Sequence, residues 1–336
     1  MRSGWPTGAL IDTYEGMAYM SESSVTVSGG REIEKKRRRA KMGQYKARYI
    51  MLLPAVVFLV VFTYIPTWGQ LVAFLDYNPG LGIFGSPFVG LKHFQRFFSD
   101  RNFFLVLRNT IMISLLNIGF GTFFPITFGL LLNELRFRRF KKFVQTVSYL
   151  PHFIAYVVVA NLALTALGSR GFLVEFFMAL GIWDSPRLLF AEPKAFWWLI
   201  ASINIWKSMG WSAIIYIAAM AGIDQSLYEA ALVDGANRFR RIWHITLPGI
   251  MPTVVVLLIM DIPGLLSAGF DPSYLLGNAM VWDYSEVIDT YVYRLGLGQA
   301  QYSLATSVGL VRMLVGMALV IAANSFARKV SDYSIY

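Results

Sequence analysis

Long stretches without charge dominate the 336-residue chain and restrict what it can fold into. A bilayer core of about 30 Å needs roughly 20 apolar residues in a helix, and lipid offers no partner to an unpaired backbone group. Three stretches of this length carry no Asp, Glu, Lys or Arg, and three more each carry one charge. The uncharged stretches are residues 49–75, 109–133 and 143–169, and the interrupted ones are 195–223, 245–270 and 300–327. The sequence therefore predicts an all-α membrane protein with six transmembrane helices.

The distribution of Lys and Arg predicts the orientation of these helices, because cytoplasmic loops hold an excess of basic residues. Lys and Arg number nine in residues 31–48, five in 134–142, three in 224–247 and two after residue 327. The alternate segments hold four in 76–108, three in 168–194 and one in 271–299. Both termini are therefore predicted to be cytoplasmic, together with the loop between the fourth and fifth helices.

The basic excess limits the kinds of partner. The chain has a formal net charge of +10 and no cysteine, and 56% of its residues are hydrophobic. Topology explains the charge better than nucleic-acid binding does, because most of the excess lies before the first helix and in short loops. We expect residues 1–47 to be a disordered basic cytoplasmic leader, 48–327 to be the transmembrane domain and 328–336 to be a short cytoplasmic tail.

Signatures of an enzyme are missing from the sequence. No Gly-x-x-x-x-Gly-Lys-Ser/Thr phosphate loop occurs, which excludes ATP binding by that route. There is no His-Glu-x-x-His or Gly-x-Ser-x-Gly motif, and the three histidines, His93, His152 and His244, are scattered. The chain itself is therefore expected to catalyse no reaction and to hold no metal or other cofactor.

The most polar loop of the apolar second half carries the most informative motif. Glu229-Ala230-Ala231 is followed after three residues by Gly235, and after nine more by Ile245-Thr246-Leu247-Pro248. Residues 226–233 favour a helix that a left-handed glycine ends, and residues 237–246 favour a second, basic helix that the proline closes. The pattern predicts a rigid helical hairpin.

This hairpin, which reads Tyr-Glu-Ala-Ala-Leu-Val-Asp-Gly-Ala-Asn at residues 228–237, resembles the cytoplasmic coupling loop of the permease subunits of type I ABC importers. The sequence of this stretch is similar to that of the carbohydrate-importing branch of the family. Residues 287–294 and 301–306 look like the subgroup that imports complex saccharides, including alginate. The resemblance implies a coupling loop over residues 221–248 and a cytoplasmic coupling helix between the fourth and fifth transmembrane helices.

In that family the coupling loop binds an ATPase. Carried over to this chain, the resemblance implies that the coupling residues are Glu229, Ala230, Ala231, Gly235, Arg238, Ile245, Leu247 and Pro248. The arginines Arg238, Arg240 and Arg241 could pair with acidic residues of the ATPase, or they could only mark the cytoplasmic side.

The resemblance also implies the partners and the place of action. The partners are a second, distinct permease subunit, two copies of an ABC ATPase that bind ATP and magnesium, and a periplasmic or extracellular solute-binding protein. The substrate would be an oligo- or polysaccharide that is carried into the cytoplasm. The chain would lie in the lipid bilayer of the bacterial cytoplasmic (inner) membrane.

Charged residues at membrane depth need a partner or water, since each is costly in lipid. The residues concerned are Lys207, Asp261 and Arg312. They could face a substrate pathway, or Asp261 could pair with Lys207 or Arg312 and only fix helix packing. Two bases against one acid leave one base over, which favours an anionic, alginate-like sugar. Further candidates for the pathway are the polar and aromatic residues Asn117, Tyr149, Asn161, Asn204 and Trp206.

Two other classes of protein remain open at this point. A secondary transporter or channel for a polar solute would share the apolar helices and the buried charges, but it would need no ATPase. A membrane-embedded enzyme would need acidic or metal-binding residues gathered at one membrane face. The acids available for that role are Asp271, Asp283, Glu286 and Asp289, and no histidine accompanies them.

Overall fold

The computed structural model of the protein describes residues 45–46 and 48–330, with side chains as far as Ser325. The leader predicted over residues 1–47 lies outside this part of the chain except for two residues, and residues 331–336 of the predicted tail lie outside it as well. No β-strand occurs in the described residues, so this part of the chain is all-α, as predicted.

Helices of very different length make up the described residues, which form two compact units that divide between Gly69 and Gln70. In chain order the helices are α1 (Arg48–Phe74), α2 (Gly82–Gly85), α3 (Lys92–Phe98), α4 (Phe103–Glu134), α5 (Arg138–Tyr149), α6 (Tyr156–Ala166), α7 (Phe172–Ala179), α8 (Pro193–Ala221), α9 (Gln225–Val233), α10 (Arg238–Arg241), α11 (Leu247–Asp261), α12 (Phe270–Leu276), α13 (Trp282–Ser285), α14 (Ile288–Tyr293) and α15 (Tyr302–Val330). Turns of 3-10 helix occur at Trp68–Phe74, Leu150–Phe153, Leu189–Ala191, Ile262–Leu266 and Ala279–Val281, and π-helical turns at Val60–Tyr64, Ile242–Thr246 and Arg294–Gly298.

Four helical stretches in the described part of the chain are long and apolar enough to cross a membrane. They are Arg48–Phe74, Phe103–Glu134, Arg238–Leu266 and Tyr302–Ser325. They coincide with the first, second, fifth and sixth predicted transmembrane helices, and so confirm those four as helices of membrane length.

The third predicted helix, residues 143–169, is not one straight helix. The chain bends by 104° between Arg138–Phe153 and Tyr156–Ala166. The break follows Pro151, which has no N–H to donate, and Ile154 and Ala155 take extended backbone angles. The 11 residues of α6 reach only about 16 Å, roughly half of a bilayer core. The predicted third transmembrane helix is therefore broken in the structure, and only its two parts together are long and apolar enough for one crossing.

The fourth predicted helix, residues 195–223, corresponds to α8. Its 29 residues reach about 43 Å, which is more than a bilayer core. Asn204, Trp206 and Lys207 dilute its apolar character, and α8 is accordingly absent from the four most apolar stretches. α8 packs along α4, and it buries apolar side chains over most of its length. It is the central helix of the second unit.

Three apolar clusters hold the second unit together. The first joins α4, α6 and α8 to the segment after α11, and its largest members are Ile113, Phe196, Ile200 and Leu276. The second joins α3, α4, α14 and α15 through Phe97, Val106, Tyr291 and Val308. The third joins α8 to α11 through Tyr216, Met220, Ile250 and Val254. Between helices in a membrane such clusters stabilise the fold through close packing and not through removal from water.

Polar anchors fix the segment after α12 to the start of α4. The side-chain amide of the fully buried Asn109 donates to the carbonyls of Asp283 (3.0 Å) and Glu286 (2.9 Å). The hydroxyl of Thr110 accepts from the backbone N–H of Ile288 (2.9 Å). These bonds satisfy backbone groups that would otherwise be buried without a partner, so this segment is a firmly held part of the scaffold.

Candidate functional site

The predicted hairpin begins with a capped helix. The Asp224 side chain accepts a hydrogen bond from the backbone N–H of Ser226 (2.9 Å) and caps α9. This bond holds the pKa of the Asp224 carboxyl below its ordinary value, because it favours the ionised form. α9 covers Gln225–Val233, one residue more than the predicted run.

Gly235 ends α9 in the way that the sequence indicates. Its φ of +72° lies in the left-handed region that side chains with a Cβ rarely adopt. The N–H of Ala236 donates to the carbonyl of Ala231 (2.8 Å), and the N–H of Gly235 donates to that of Leu232 (3.1 Å). This pair of bonds is a Schellman motif, which satisfies the last carbonyls of the helix and fixes the turn.

The second half of the hairpin differs from the prediction. Asn237 caps α10 by accepting from the N–H of Arg240 (2.9 Å), but the helix does not close at Pro248. It runs on through the π-helical turn into α11, where the N–H of Leu247 donates to the carbonyl of Ile242, five residues back. This wider turn lets a proline without an N–H sit inside a continuous helix. The hairpin is therefore rigidly joined to the fifth predicted helix.

Side-chain contacts tie the two halves of the hairpin together. The hydroxyls of Tyr228 and Thr246 are hydrogen-bonded at 2.9 Å, and Thr246 is buried. A guanidinium nitrogen of Arg238 lies 4.0 Å from a carboxyl oxygen of Glu134 at the end of α4. The hairpin is thus braced internally and lies against the end of α4.

An apolar patch on the hairpin faces away from the rest of the protein. Val233 is 88% exposed and Phe239 is 84% exposed. The full set of exposed large apolar side chains, which we call the hairpin patch, is Leu227, Leu232, Val233, Phe239 and Trp243. Glu229 is also exposed, and it forms no ion pair with any described residue. Exposed apolar groups beside an unpaired acid indicate a surface that binds another protein.

The predicted coupling residues fall into two sets. Those on the surface are Glu229, Ala230, Gly235, Arg238 and Pro248, whereas Ala231, Ile245 and Leu247 are half-buried. Leu247 packs against the apolar cluster between α8 and α11. The structure brings both sets into one hairpin, where the first set is accessible to a partner and the second holds the hairpin to the helices.

A second group of polar residues lies between α4, α6 and α8. The hydroxyl of Tyr156 donates to Asn204 Oδ1 (2.9 Å), and Asn204 Nδ2 donates to Asn117 Oδ1 (3.2 Å). One turn further along α8, Lys207 Nζ donates to the carbonyls of Pro151 (3.3 Å) and His152 (2.6 Å). We call these residues the polar cluster. It contains three predicted pathway residues: Asn117, Asn204 and Lys207.

The break in the third helix explains why the polar cluster forms. The Pro151 carbonyl before the break accepts from the backbone N–H of Ile154 (3.2 Å), and the ammonium group of Lys207 adds a donor to it and to the carbonyl of His152. Gly210 allows the close approach, because a Cβ there would overlap the carbonyl of Ser148. The ring of Trp211 stacks on that of His152 with centroids 4.8 Å apart.

The other predicted pathway residues are not joined to the polar cluster. Asn161 is exposed on α6, and the half-buried Tyr149 has no side-chain hydrogen bond in the described residues. Trp206 is half-exposed and lines an apolar cavity with Leu162 and Phe172. The pathway role of these residues stays a prediction.

The predicted pairing of Asp261 with Lys207 or Arg312 is wrong. Arg312 forms its ion pair with Asp289, which lies 23 residues earlier at the start of α14. Asp261 is exposed at the end of α11, and no described residue forms an ion pair with it. Lys207 has carbonyl partners and no carboxylate partner among the described residues. The base left without an acid is therefore Lys207.

The acids considered for a membrane enzyme do not form a reactive cluster. Glu286 is buried and pairs with Arg294 (3.0 Å), while Asp289 pairs with Arg312. Burial raises the pKa of the Glu286 carboxyl, and the neighbouring guanidinium opposes that rise. Within the described residues no group of three His, Asp or Glu side chains could hold a metal ion. These acids support the fold.

Sequence reasoning missed Tyr156, Asp289 and the two carbonyls that bind Lys207. Tyr156 follows directly after the helix break, and the Leu-Pro-His-Phe run at residues 150–153 was the available signal for that break. Asp289 was visible as an acid, but its pairing depends on how α14 packs against α15.

The comparisons with known proteins agree with this geometry. Residues 121–332 match the family model of the binding-protein-dependent transport system inner membrane component. The matched region includes the hairpin and most of the polar cluster. The chain belongs to this family. The predicted membership among the permease subunits of ABC importers is thereby confirmed.

Among curated members of the family, two from Bacillus subtilis (strain 168) are similar over most of their length. The polygalacturonan/rhamnogalacturonan transport system permease protein YteP is 45% identical over 90% of this chain and 94% of its own. Protein LplB is 39% identical over 88% of this chain and 93% of its own.

Solved structures show the same fold. A chain from a bacterial ABC transporter involved in the import of the acidic polysaccharide alginate superposes with a TM-score of 0.80 at 36% identity, over 88% of this chain and 99% of its own. A chain from a bacterial alginate ABC transporter in complex with an alginate pentasaccharide-bound periplasmic protein gives a TM-score of 0.79 at 35% identity, over 88% and 98%. The protein therefore has the ABC permease fold.

Proposed function

We propose that this family member is the permease subunit of an ATP-driven importer that moves an acidic oligo- or polysaccharide into the cytoplasm. The hairpin carries the proposal, because an exposed apolar patch on a rigid helical unit fits docking into a groove of an ATPase. α8 ends at the hairpin and α11 begins there, so movement of the ATPase would reach both helices. ATP and magnesium would be bound by the ATPase, and this chain would supply neither a catalytic group nor a cofactor.

The proposed topology has six crossings with both termini in the cytoplasm, within a transmembrane domain of residues 48–327. The hairpin would lie on the cytoplasmic side between the fourth and fifth crossings. The excess of Lys and Arg around the hairpin and around residues 134–142 supports this orientation. The third crossing would be the broken one, with α5 and α6 as its two parts.

The proposed substrate class rests on the relatives and on one side chain. The names of the most similar proteins mention a polygalacturonan and alginate, and polymers of uronic acids carry a carboxylate on each sugar. Lys207 is a base at membrane depth without an acidic partner among the described residues, which suits the passage of an anion. The substrate is therefore proposed to be an acidic saccharide of this kind.

The proposed assembly contains a second, distinct permease subunit, two copies of an ABC ATPase and a solute-binding protein outside the membrane. The family description names a binding-protein-dependent system, and one structural neighbour was solved with a periplasmic protein. The segments after α1, α6 and α12 would receive the binding protein.

Co-purification with candidate ATPases from detergent extracts tests this function. The native chain should retain an ATPase, and Glu229→Ala and Gly235→Pro should lose it or uncouple it. Gly181→Pro is a matched control, because Gly181 also has a positive φ (+69°) and open space around it but lies far from the hairpin in sequence. If no ATPase associates with the native chain, the importer is the wrong class and a secondary transporter takes its place.

A further inference from the structure

α5 has three sides that differ in chemistry and in exposure. One side is half-buried and contains Lys141, Val144, Gln145 and Ser148 at helical spacing. A second side is apolar and exposed, with Phe140, Phe143 and Val147. The third side is polar and contains Arg138, Lys142, Thr146 and Tyr149, of which the first three are exposed and the last is half-buried. We call this third side the basic track.

The half-buried side shows that α5 packs lengthwise against α8. The contact is closest where Gly210 meets the carbonyl of Ser148. Gly210 lies 11 residues before the end of α8, about 16 Å from that end, and Ser148 lies 10 residues after the start of α5, about 15 Å from that start. Lys207, three residues before Gly210, binds the carbonyls of Pro151 and His152, so the end of α5 and the turn after it run antiparallel to α8.

A helix in this position needs two different surroundings for its two exposed sides. The apolar side suits lipid or an apolar face of another subunit. The basic track cannot face hydrocarbon, because a charged residue such as Lys142 and the polar groups that follow it would be costly there. The surroundings that suit this side are water, lipid headgroups or a polar face of another subunit.

The charge of the basic track is uncompensated. The sequence has no Asp or Glu between Glu134 and Glu175, and it places Arg136, Arg138, Arg139, Lys141 and Lys142 in this interval. None of these five bases forms an ion pair with a described residue, and Glu134 lies beside Arg238 instead. Beyond the inner end of the track, Lys207 binds the carbonyls of Pro151 and His152, two and three residues after Tyr149.

We propose that the basic track lines the water-filled cytoplasmic half of the translocation pathway and guides a polyanionic saccharide from Lys207 to the cytoplasm. Arg138 and Lys142 supply charge at the exit, while Thr146 and Tyr149 supply hydroxyl groups on the way. This proposal rests on the import function and the acidic substrate proposed above. It assigns specificity for acidic chains to a helix outside the hairpin.

Single cysteines on α5 test the proposal directly, because the native chain contains none. Lys142→Cys, Thr146→Cys and Tyr149→Cys place a thiol on the basic track, and Phe143→Cys and Val147→Cys place one on the apolar side. Inside-out vesicles from cells that make the whole transporter are treated with membrane-impermeant thiosulfonate reagents. All three track thiols should react, and the two apolar-side thiols should react at least about tenfold more slowly, because lipid excludes the charged reagents.

Reagents of opposite charge distinguish a track that attracts anions from one that is only accessible to water. At Tyr149→Cys an anionic reagent should react about tenfold faster than a cationic one, since a cleft of one sign concentrates counter-ions. Adding Lys142→Gln should lower this ratio, whereas adding Arg170→Gln in a distant exposed segment should leave it unchanged. A pentameric alginate oligosaccharide should protect the track thiols.

Two results would overturn the proposal. Unreactive thiols at Thr146→Cys and Tyr149→Cys would mean that the track faces lipid headgroups or another subunit, and a reagent ratio near one would mean that its charge guides nothing. The labelling needs no ATPase activity. If the importer function is wrong, no ATPase will co-purify although the track thiols are labelled. If the track proposal is wrong, the ATPase will co-purify although the track thiols are not labelled as predicted.

Discussion

The hairpin and the segment between α12 and α15 both carry charged and aromatic side chains, but these side chains are mostly paired in the segment and exposed in the hairpin. In that segment Glu286 pairs with Arg294 and Asp289 pairs with Arg312. The buried side chain of Asn109, on α4, donates hydrogen bonds to the backbone carbonyls of the segment. In the hairpin, Glu229 and the hairpin patch are exposed and make no such contacts. The hairpin is held instead by its helix caps and by the hydrogen bond between Tyr228 and Thr246.

This difference separates scaffold from working surface. Polar groups that are buried and paired stabilise the fold, and their loss leaves a partner uncompensated. Exposed groups without partners contribute little to stability, and at the hairpin they suit the docking of the ATPase proposed above. The polar cluster lies between these extremes, because Lys207 is half-buried and is bonded to the carbonyls of Pro151 and His152 but to no acid among the described residues.

The largest effect is expected in the scaffold. Glu286→Ala should destabilise the protein by about 3 kcal/mol, because it leaves Arg294 largely buried without its acid. Thermal unfolding in detergent measures this loss. Glu229→Ala is the control in the hairpin and should change stability by less than about 0.5 kcal/mol. Equal effects of the two variants would remove the distinction between the regions.

An intermediate effect is expected in the polar cluster. Lys207→Met should cost about 1–3 kcal/mol, because the carbonyls of Pro151 and His152 lose their donor. Lys207→Arg keeps charge and donors and should retain most of the stability. The same unfolding assay, combined with uptake of an acidic oligosaccharide, sharpens the comparison. If Lys207→Met keeps its stability but loses uptake, Lys207 acts in transport and not in stabilising the fold.

A smaller effect on stability is expected at the turn of the hairpin. Gly235→Ala should cost about 1 kcal/mol, because a Cβ is unfavourable at a φ of +72°. Gly181→Ala, at a φ of +69°, should cost the same amount. Only the first should weaken ATPase binding, which pull-down of the ATPase measures. Equal ATPase retention by the two variants would contradict the docking role of the turn.

The smallest effect is expected at the cap of α9, and it depends on pH. The pKa of Asp224 is lowered in the folded state, so its capping contribution is present above the ordinary pKa of an aspartate and is lost as the pH falls through the lowered value. Amide exchange at Ser226 should therefore quicken on acidification, relative to neighbouring amides. Asp224→Asn keeps an N-cap that does not titrate, and it should remove this pH dependence. A pH dependence that persists in the variant would assign the effect to another group.

The hairpin could be predicted from the sequence because its determinants are local. Gly235 ends α9 as the pattern predicts, and Asp224 and Asn237, whose capping roles were not predicted, cap helices whose position was predicted to within a residue or so. The exception is Pro248, which lies inside a continuous helix. A π-helical turn absorbs it, and no short-range rule foresees that turn.

The polar cluster and the third helix could be predicted only in part. The apolar composition of residues 143–169 predicts one helix. The bend depends on Pro151 and on the hydrogen bonds from Lys207 to the carbonyls beside the break. Lys207 lies more than fifty residues further along the chain, so a local pattern does not reveal these bonds. In the same way, composition alone left open whether Asp261 pairs with Lys207 or Arg312 or faces a pathway. The partner of Arg312 is Asp289, because α14 packs beside α15.

Cross-linking from the hairpin patch tests the central claim most directly. Val233→Cys, in a chain without other cysteines, is treated with a bifunctional reagent in native membranes, and the adduct is identified by mass spectrometry. Leu297→Cys is the control, because it is 71% exposed in the segment between α12 and α15. We predict an adduct of Val233→Cys with an ABC ATPase and none from Leu297→Cys. A Val233→Cys thiol that cross-links to no ATPase, in membranes where the transporter is active, would contradict the account.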